Sequence, residues 1–525
     1  MITRADDEVV RSIAAHDPSV WSNDPRVQTQ IGQSLGWLDA PLKARHELGD
    51  LEAFARAVRG EGYTDAVVLG MGGSSLAPDV MARILGPGEG GLNLHVLDST
   101  HPAQVRSLRD GLDPRRTLFL VSSKSGTTSE PNAFFAYFWE VLAGVKDRPA
   151  HFVAITDPGT PLQSLAQSHG FRRVFPGTPD IGGRYSALSN FGLVPAALMG
   201  ADLDALIASA ESRRRACLVG AGDNPGYRLG TFMGENARAG RDKVTIVTDS
   251  TLAAFGDWAE QLLAESTGKE GRGLVPVARE PLADPGDYGP DRQFTVVTLK
   301  SGEAALEPRV ARLEAAGFPV LRMRLHAPEE LGGLFYEWEF ATAVAGRVLG
   351  INPFDQPNVE ESKERTRTIL KSGAVDQASS TPLAGDALVR AVEDRLRDVH
   401  PPDYVAILAY LEPSPAVQRA LALLRAAVFH RVKAATTLGF GPRFLHSTGQ
   451  LHKGGPNEGV FLVFTDDARP DEAVPGQPYG FAGLIHAQAQ GDVGALTDRG
   501  RRVATLELGS GAVAALEGLA SALGR

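Results

Sequence analysis

A chain of 525 residues with 43% hydrophobic and 22% charged residues predicts a globular protein of two to four domains. Its formal net charge of −10 argues against nucleic acid or an anionic membrane as the main partner. Cys217 is the only cysteine, so an internal disulfide and a cysteine-ligated metal cluster are both excluded.

The distribution of apolar residues indicates a cytoplasmic protein. The residues after Met1 are rich in charge and lack the apolar core of a signal peptide. The long uncharged stretch 185–201 contains Ser, Asn, Pro and Gly, so it predicts a buried helix and not a membrane span.

The predicted elements begin with a polar helical segment, residues 1–60, and continue with alternating strands and helices. The first series has strand patterns at 66–69, 92–97, 117–121 and 152–156, and helix patterns that begin near residues 77, 103, 130 and 161. Such alternation predicts a parallel, doubly wound sheet. We assign residues 61–220 to a first domain of this type.

A second series of the same kind follows, and we assign residues 221–371 to a second domain. Its candidate strands are 244–248, 295–299 and 320–324, and its strongest helices are 255–264 and 334–349. The Gly/Ser/Pro/Thr-rich stretch 372–385 predicts a linker.

Residues 386–525 are predicted to be a C-terminal α/β segment that completes the second domain. Its candidate strands are 404–410, 460–465, 481–486 and 503–508, with a helix at 415–433. The predicted fold class is therefore α/β, with two doubly wound parallel-sheet domains and this additional segment.

A hydroxyl-rich loop follows the predicted strand 117–121 and precedes a predicted helix. It reads Val-Ser-Ser-Lys-Ser-Gly-Thr-Thr over residues 121–128. Backbone N–H groups and a helix N-terminus supply positive potential at such a corner, and hydroxyl and ammonium groups add donors, so the loop suits a phosphate monoester. The alternative is an ST-turn that only caps the helix.

A glycine-rich turn follows the first strand of the same predicted sheet. Gly70, Gly72 and Gly73 permit close approach of a ligand, and Ser74 and Ser75 follow where a helix should begin. Because position 75 is serine, the turn does not complete the dinucleotide pattern G-x-G-x-x-G, and it is not a P-loop. Two hydroxyl-bearing loops from neighbouring strands better suit one small phosphate.

Two other segments carry side chains that could act on a ligand. Arg184 follows two glycines in a turn, where a surface arginine is the alternative. Gln261 and Glu265 are four residues apart and share a helix face. A carboxylate at a helix C-terminus tends to have a raised pKa, which suits a base near neutral pH, whereas an exposed helix-end glutamate is the alternative.

The last candidates are a lysine and two histidines. Lys363 follows a proline turn and could bind a ligand or be solvated. His446 and His452 are six residues apart without nearby cysteines, which is poor evidence for a metal. Acid–base work and loop hydrogen bonding both stay open for this pair.

Taken together, five segments resemble the phosphoglucose isomerase family, whose members contain two SIS-type domains. They match in kind and in order across roughly residues 60 to 370, and they are Gly70–Pro78, Ser123–Glu130, Gly182–Ser186, Gln261–Lys269 and Phe354–Lys363. The chain looks most like the isomerase half of bacterial proteins that fuse transaldolase to phosphoglucose isomerase, with no transaldolase half. The resemblance implies reversible conversion of glucose 6-phosphate to fructose 6-phosphate through a cis-enediolate, without metal or cofactor.

The resemblance also implies a role for each matched residue. Arg184 would stabilise the enediolate, Glu265 would move the proton between C2 and C1, and Lys363 matches a lysine that the family associates with ring opening. The sugar-phosphate site would be lined by Gly73, Ser74 and Gln261, with a phosphate cradle of Ser123, Lys124, Ser125 and Thr128.

One departure concerns the histidine that opens the sugar ring. The family usually carries it shortly after the glutamate motif, but residues 285–294 contain no histidine. The segment His446–Gly454 resembles the family's histidine segment, although it follows the lysine motif. We therefore predict a rearranged chain order in which His446 opens the ring, with His452 as the fallback. Because the family's histidine can come from a neighbouring subunit, a homodimer is expected.

Two other functions stay open at this point: isomerisation of a mannose or amino-sugar phosphate, and a non-catalytic SIS sensor of sugar phosphate. A sensor needs a phosphate cradle but no base, so the presence of Arg184, Gln261 and Glu265 argues against it.

Overall fold

The computed structural model describes residues 4–373 and 382–524, and every pairing between its strands is parallel. The strands form three sheets covered by helices, which confirms the predicted α/β class. Residues 374–381, most of the predicted linker, lie outside the described residues. Among the described residues, no helix has both the length and the apolar character needed to cross a membrane.

The N-terminal segment is helical, as its polar pattern predicts. It forms α1 (Arg4–Ala14), α2 (Pro25–Gly32) and α3 (Ala40–Gly60). Trp37, between α2 and α3, is fully buried, and its ring packs 5.4 Å from that of Tyr185. The segment therefore packs onto both units, with the ring of Phe54 against Phe175 and that of Trp37 near Tyr336, instead of forming a separate unit.

The first unit is built on a five-stranded sheet in the order β2-β1-β3-β4-β5. Its central strands are continuous apolar runs because helices cover both faces of the sheet. The strands are β1 (Asp65–Gly70), β2 (Asn93–Leu97), β3 (Thr117–Ser122), β4 (Phe152–Thr156) and β5 (Arg173–Pro176). The helices are α4 (Leu76–Leu85), α5 (Pro102–Gly111), α6 (Ser129–Val141), α7 (Pro161–His169), α8 (Asn190–Leu198), α9 (Leu203–Leu218) and α10 (Pro225–Arg238).

The register of this sheet positions the two predicted ligand loops. Gly70 at the end of β1 pairs with Ser122 at the end of β3. The glycine-rich turn and the hydroxyl-rich loop therefore leave the same edge of the sheet, side by side. Carboxyl ends of parallel strands are where open α/β sheets bind their ligands.

The second unit has a four-stranded sheet in the order β7-β6-β8-β9. Its core is continuous with that of the first unit, since one cluster of buried side chains runs through both. The strands are β6 (Lys243–Thr248), β7 (Val275–Ala278), β8 (Arg292–Leu299) and β9 (Val320–Leu325). The helices are α11 (Phe255–Thr267), α12 (Glu303–Ala315), α13 (Leu331–Leu349) and α14 (Val359–Ser372).

The C-terminal unit, residues 382–524, forms a sheet of its own in the order β11-β10-β12-β13. It does not add strands to the second sheet, but Ala264 and Val277 of the second unit share a core cluster with it. The strands are β10 (Tyr404–Tyr410), β11 (Ala435–Phe440), β12 (Gly459–Thr465) and β13 (Arg502–Glu507). The helices are α15 (Gly385–Leu396), α16 (Pro415–Val432), α17 (Gly449–Gly454), α18 (Phe481–Asp498) and α19 (Ala512–Leu523).

The predicted strand at 481–486 is wrong, because these residues begin α18. A short apolar run is compatible with a buried strand or a buried helix, and only the longer pattern separates them. Leu484, Gln488, Gly491 and Asp492 are buried at helical spacing, and α18 packs along α14. The error matters because α18 contributes to the site.

Candidate active site

The glycine-rich turn after β1 packs directly against the turn that carries Arg184. A Cβ on Gly73 would lie 1.9 Å from the carbonyl oxygen of Gly183, so no larger residue fits there. Gly72 has φ +56 and a Cβ on it would lie 2.8 Å from the carbonyl oxygen of His446. Glycine is therefore required at both positions by close backbone approach, and by the positive φ at position 72.

The hydroxyl-rich loop after β3 is closed by its own side chains. The hydroxyl of Ser123 accepts a hydrogen bond from the N–H of Gly126 at 3.1 Å and lies 3.1 Å from the hydroxyl of Thr128. Ser125 and Thr127 are exposed, and their hydroxyls lie 2.9 Å apart. Ser123 therefore shapes the loop, while the hydroxyls of Ser125 and Thr127 contact each other at an exposed position that a ligand can reach.

Lys124 is placed differently from its predicted role in the cradle. Its ammonium forms an ion pair with Asp157 and donates to the carbonyl oxygens of Thr178 and Pro179 at 3.3 and 3.2 Å. These partners take up its hydrogen-bonding capacity. The charge of Lys124 is thus balanced by Asp157 in this structure, and its part in a phosphate cradle stays a prediction.

Glu265 lies near the end of α11 with its carboxylate held by two donors. The amide of Gln261 donates to one oxygen at 3.0 Å, and Nη1 of Arg184 lies 3.3 Å from the other. Its side chain is 13% exposed, so the carboxylate is sheltered but reachable. The structure therefore brings together three predicted site residues from two units.

Gln261 also connects α11 to the C-terminal unit. Its amide nitrogen donates to the carbonyl oxygen of His446 at 2.8 Å, in addition to Glu265. Its amide oxygen is buried and has no hydrogen-bond partner in the described chain. An unpaired buried acceptor has an unfavourable free energy, so this oxygen is suited to accept a hydrogen bond from a substrate hydroxyl.

Arg184 is almost fully buried, and its guanidinium is fixed on several sides. It donates to the hydroxyl of Ser266 at 2.6 Å, to the side chain of Gln356 at 2.8 Å and to the carbonyl oxygen of Pro353 at 2.8 Å. These partners lie on α11 and on the segment before α14, so the cation cannot move freely. A fixed cation beside a carboxylate is suited to stabilise negative charge that develops there.

His446 ends a one-turn 3-10 helix in the C-terminal unit, and the fold brings it to the first unit. Its Nε2 lies 3.0 Å from Oε1 of Glu130, which begins the helix after the hydroxyl-rich loop. Burial raises the pKa of Glu130, but the charge and hydrogen bond of His446 outweigh it and lower that pKa to about 2. Glu130 thus stays ionised and orients the imidazole.

The fallback residue His452 does not reach the site. It is 2% exposed and its ring packs on Phe444 and Phe461. Burial lowers its pKa well below the ordinary histidine value, and the charges of Lys453 and Arg501 lower it further. It is therefore a neutral core histidine, and ring opening by His446 stays the prediction.

Lys363 lies at the rim, on the first turns of α14. Its ammonium is 2.8 Å from the carboxylate of Glu360, and its side chain is 37% exposed. The hydrogen bond from Lys363 lowers the pKa of Glu360, and the charge of His446 contributes to this shift. Lys363 and His446 thus both lie close enough to Glu360 to lower the pKa of its carboxyl group.

Comparison with known proteins decides the family. The family model described as phosphoglucose isomerase matches residues 52–271. A glucose-6-phosphate isomerase of Rubrobacter xylanophilus is 31% identical over 402 residues, which cover 65% of this chain and 91% of that protein. The chain belongs to the phosphoglucose isomerase family. A glucose-6-phosphate isomerase of Thermus thermophilus is also 31% identical, over 383 residues that cover 65% of this chain and 91% of its own length.

Two solved structures share the fold of this chain. A hypothetical protein from Thermus thermophilus superposes with a TM-score of 0.60 at 27% identity, over 70% of this chain and 94% of its own. A glucose-6-phosphate isomerase from Chlamydia trachomatis gives a TM-score of 0.55 at 20% identity, over 70% of this chain and 84% of its own.

Sequence reasoning missed three residues of this phosphoglucose isomerase site: Glu130, Thr127 and Gln488. The amide of Gln488 donates to Oε1 of Glu130 at 2.8 Å. Glu130 could have been noted as a carboxylate at the start of a helix directly after a ligand loop, and Thr127 as part of the hydroxyl-rich run. Gln488 could not be found, because a strand was predicted close to it and the contact spans 358 positions.

Proposed function

We propose that this site interconverts glucose 6-phosphate and fructose 6-phosphate by proton transfer through a cis-enediolate. The observation that carries the proposal is the carboxylate of Glu265, held by Gln261 and Arg184 beside the turn of His446. One carboxylate with a fixed cation at its side can remove a proton and stabilise the anion that results.

The phosphate would bind in the hydroxyl-rich loop at the start of α6. Exposed hydroxyls, backbone N–H groups and the helix N-terminus supply donors there without a free cation, since Lys124 is paired with Asp157. Gly73 and Ser74 would line the sugar beside the turn of Arg184, since a Cβ on Gly73 would lie 1.9 Å from the carbonyl oxygen of Gly183. Binding at the phosphate end then holds C1 and C2 of the sugar at the carboxylate.

Ring opening would fall to His446, oriented by Glu130, with Lys363 at the rim as a second acid–base group. A proton leaves the hydroxyl on C1 of the cyclic sugar and another is supplied to the ring oxygen, which breaks the bond between C1 and that oxygen. The product is the open-chain aldehyde that the next step requires.

Glu265 would then take the proton from C2, and the electrons of the C2–H bond form the C1–C2 double bond of the enediolate. The oxygen on C1 gains negative charge, which the guanidinium of Arg184 offsets. Glu265 returns its proton to C1 while the proton of the C2 hydroxyl is transferred to the oxygen on C1, so C2 becomes the ketone and C1 carries a hydroxyl. The balance closes with side chains alone, so we propose that neither a metal nor a redox cofactor takes part.

The direct test is a coupled assay. Fructose 6-phosphate is supplied, and glucose 6-phosphate is detected by reduction of NADP with a coupling dehydrogenase. We expect robust turnover, and at least about tenfold lower kcat/KM for mannose 6-phosphate and glucosamine 6-phosphate, which is about 1.4 kcal/mol of discrimination. Absence of turnover with fructose 6-phosphate, or higher turnover with either competitor, would contradict the proposal.

Loss of the exposed hydroxyls of the loop should weaken phosphate binding. The double variant Ser125→Ala/Thr127→Ala removes two donors to a charged group, each contributing about 1.5–3 kcal/mol, so kcat/KM should fall about 10²- to 10⁴-fold. The kinetics would be measured with fructose 6-phosphate. Ser168→Ala, an exposed serine on α7, is the control and should match the wild type. An unchanged KM in the double variant would exclude the loop as the phosphate site.

We also propose a cytoplasmic location and retain homodimerisation, from the family resemblance, as a prediction. His446 reaches Glu130 and Gln261 of its own chain, so each protomer holds a full set of site residues. A mixture of Glu265→Gln and His446→Gln proteins should therefore show no more activity than the sum of the two. Recovery of activity on mixing, measured after unfolding and joint refolding, would show that subunits share sites.

A further inference from the structure

Arg443 begins the one-turn 3-10 helix, Arg443–His446, that carries the histidine. Such a helix has three residues per turn, so side chains three positions apart project from the same face. The side chains of Arg443 and His446 accordingly project from the same face of this helix, and both contact residues of the first unit.

The guanidinium of Arg443 joins two carboxylates that flank the glycine-rich turn. Nη2 donates to Asp79 in the first turn of α4 at 2.7 Å, and Nη1 lies 3.2 Å from Asp98, which follows β2. The same oxygen of Asp98 lies 3.4 Å from the hydroxyl of Ser75, and that hydroxyl lies 3.2 Å from the carbonyl oxygen of Gly72. A chain of polar contacts through Asp98 and Ser75 therefore connects Arg443 in the histidine turn to Gly72 in the glycine-rich turn.

Little free space surrounds the histidine turn on this side. The carbonyl oxygen of His446 accepts a hydrogen bond from the amide of Gln261 at 2.8 Å. It also packs against Gly72, where a Cβ would come within 2.8 Å of it. A shift of the turn by about an ångström would break this hydrogen bond and the contact of the imidazole with Glu130, and such displacements cost up to about 100-fold in rate.

We propose that Arg443 is a positioning residue for ring opening. It holds the histidine turn of the C-terminal unit against the glycine-rich turn of the first unit, so that His446 meets the ring of the substrate at a fixed place. This inference rests on the proposed function of the site, and it assigns Arg443 no contact with the substrate.

Attachment of the C-terminal unit as a whole does not depend on Arg443. Lys243 pairs with Glu458 within the same protomer, and Arg425 donates to the carbonyl oxygen of Ala278 at 2.8 Å. Both contacts join the C-terminal unit to the second unit, and neither involves a residue of the histidine turn. Loss of Arg443 should therefore loosen the turn without detaching the unit.

The test compares Arg443→Met with Arg83→Met. Arg83 bonds the same Asp79 at 3.4 Å and Asp257 at 3.0 Å, but it is 44% exposed and belongs to α4 instead of the histidine turn. Steady-state kinetics give kcat and KM, exchange between the anomers of glucose 6-phosphate by NMR gives ring opening, and thermal unfolding gives stability.

For Arg443→Met we expect about a tenfold or larger fall in anomer exchange and kcat with KM within about twofold, since positioning and not binding is lost. Arg83→Met should keep all three within about twofold of the wild type. Arg443→Lys should recover only part of the rate, because one ammonium cannot reproduce the two-sided contact.

Wild-type anomer exchange in a folded Arg443→Met protein would overturn the inference. If that variant does not fold, Asp98→Asn decides, because it keeps the shape and removes one of the two carboxylates. A severalfold slower anomer exchange at unchanged KM supports the inference, and an unchanged exchange rate overturns it. Failure of the proposed function is seen separately, as wild-type protein that does not turn over fructose 6-phosphate.

Discussion

Glu265→Gln should lower kcat for isomerisation by at least about 10³-fold, within the 10²–10⁴ range typical of general acid–base groups. The amide keeps the size of the side chain and can still bond Gln261 and Arg184, but it cannot accept the proton from C2. Substrate binding should persist, with the dissociation constant for fructose 6-phosphate, measured by calorimetry, within about threefold of the wild type.

The chain offers a matched control on the same helix. Glu260 lies five positions before Glu265 on α11, and burial raises its pKa to about 8, with the charge of Asp257 adding to the shift. It is therefore mainly protonated at pH 7, and Glu260→Gln mimics that neutral form. We expect near wild-type kinetics for this control. Full activity in Glu265→Gln, or equal losses in both variants, would remove Glu265 from the central role.

His446→Gln should impair ring opening more than proton transfer. General acid–base contributions predict a fall of about 10²- to 10⁴-fold in kcat on cyclic glucose 6-phosphate. Molecules that open spontaneously can still reach Glu265. The rate of the variant should therefore approach that of uncatalysed ring opening and stop rising as more enzyme is added, which progress curves at several enzyme concentrations would reveal.

His326→Gln serves as the control for this substitution, because His326 is exposed and lies after β9, outside the histidine turn. It should leave turnover proportional to enzyme concentration. Wild-type turnover by His446→Gln on the cyclic sugar would contradict the assignment and leave Lys363 as the group that opens the ring.

Much of the fold follows from local pattern. The central strands of the first sheet, β1, β3 and β4, are apolar runs with helices between them, and parallel pairing is the usual result of that alternation. The run 481–486 is misassigned because a short, mostly apolar run does not distinguish a strand from the start of a helix. The strands β5, β7 and β11 are not predicted, since each has only four to six residues and contains a proline or a glycine.

The site is predictable only where its residues are neighbours in sequence or lie at the ends of adjacent strands. Gln261 and Glu265 share a helix face, and the two ligand loops leave paired strands, so local rules bring these residues together. The contact of His446 with Glu130 spans 316 positions and depends on how the C-terminal unit packs. Likewise, nothing near Lys124 in the sequence indicates that its ammonium group forms an ion pair with Asp157.

Isomerisation in deuterium oxide shows whether Glu265 carries the proton between C2 and C1. A proton held on a partly exposed carboxylate exchanges with solvent. NMR of the products should therefore show deuterium at C1 of fructose 6-phosphate and at C2 of glucose 6-phosphate for the wild type, and none for Glu265→Gln over the same period. Wild-type isomerisation without any deuterium incorporation, or undiminished incorporation by Glu265→Gln, would contradict the account.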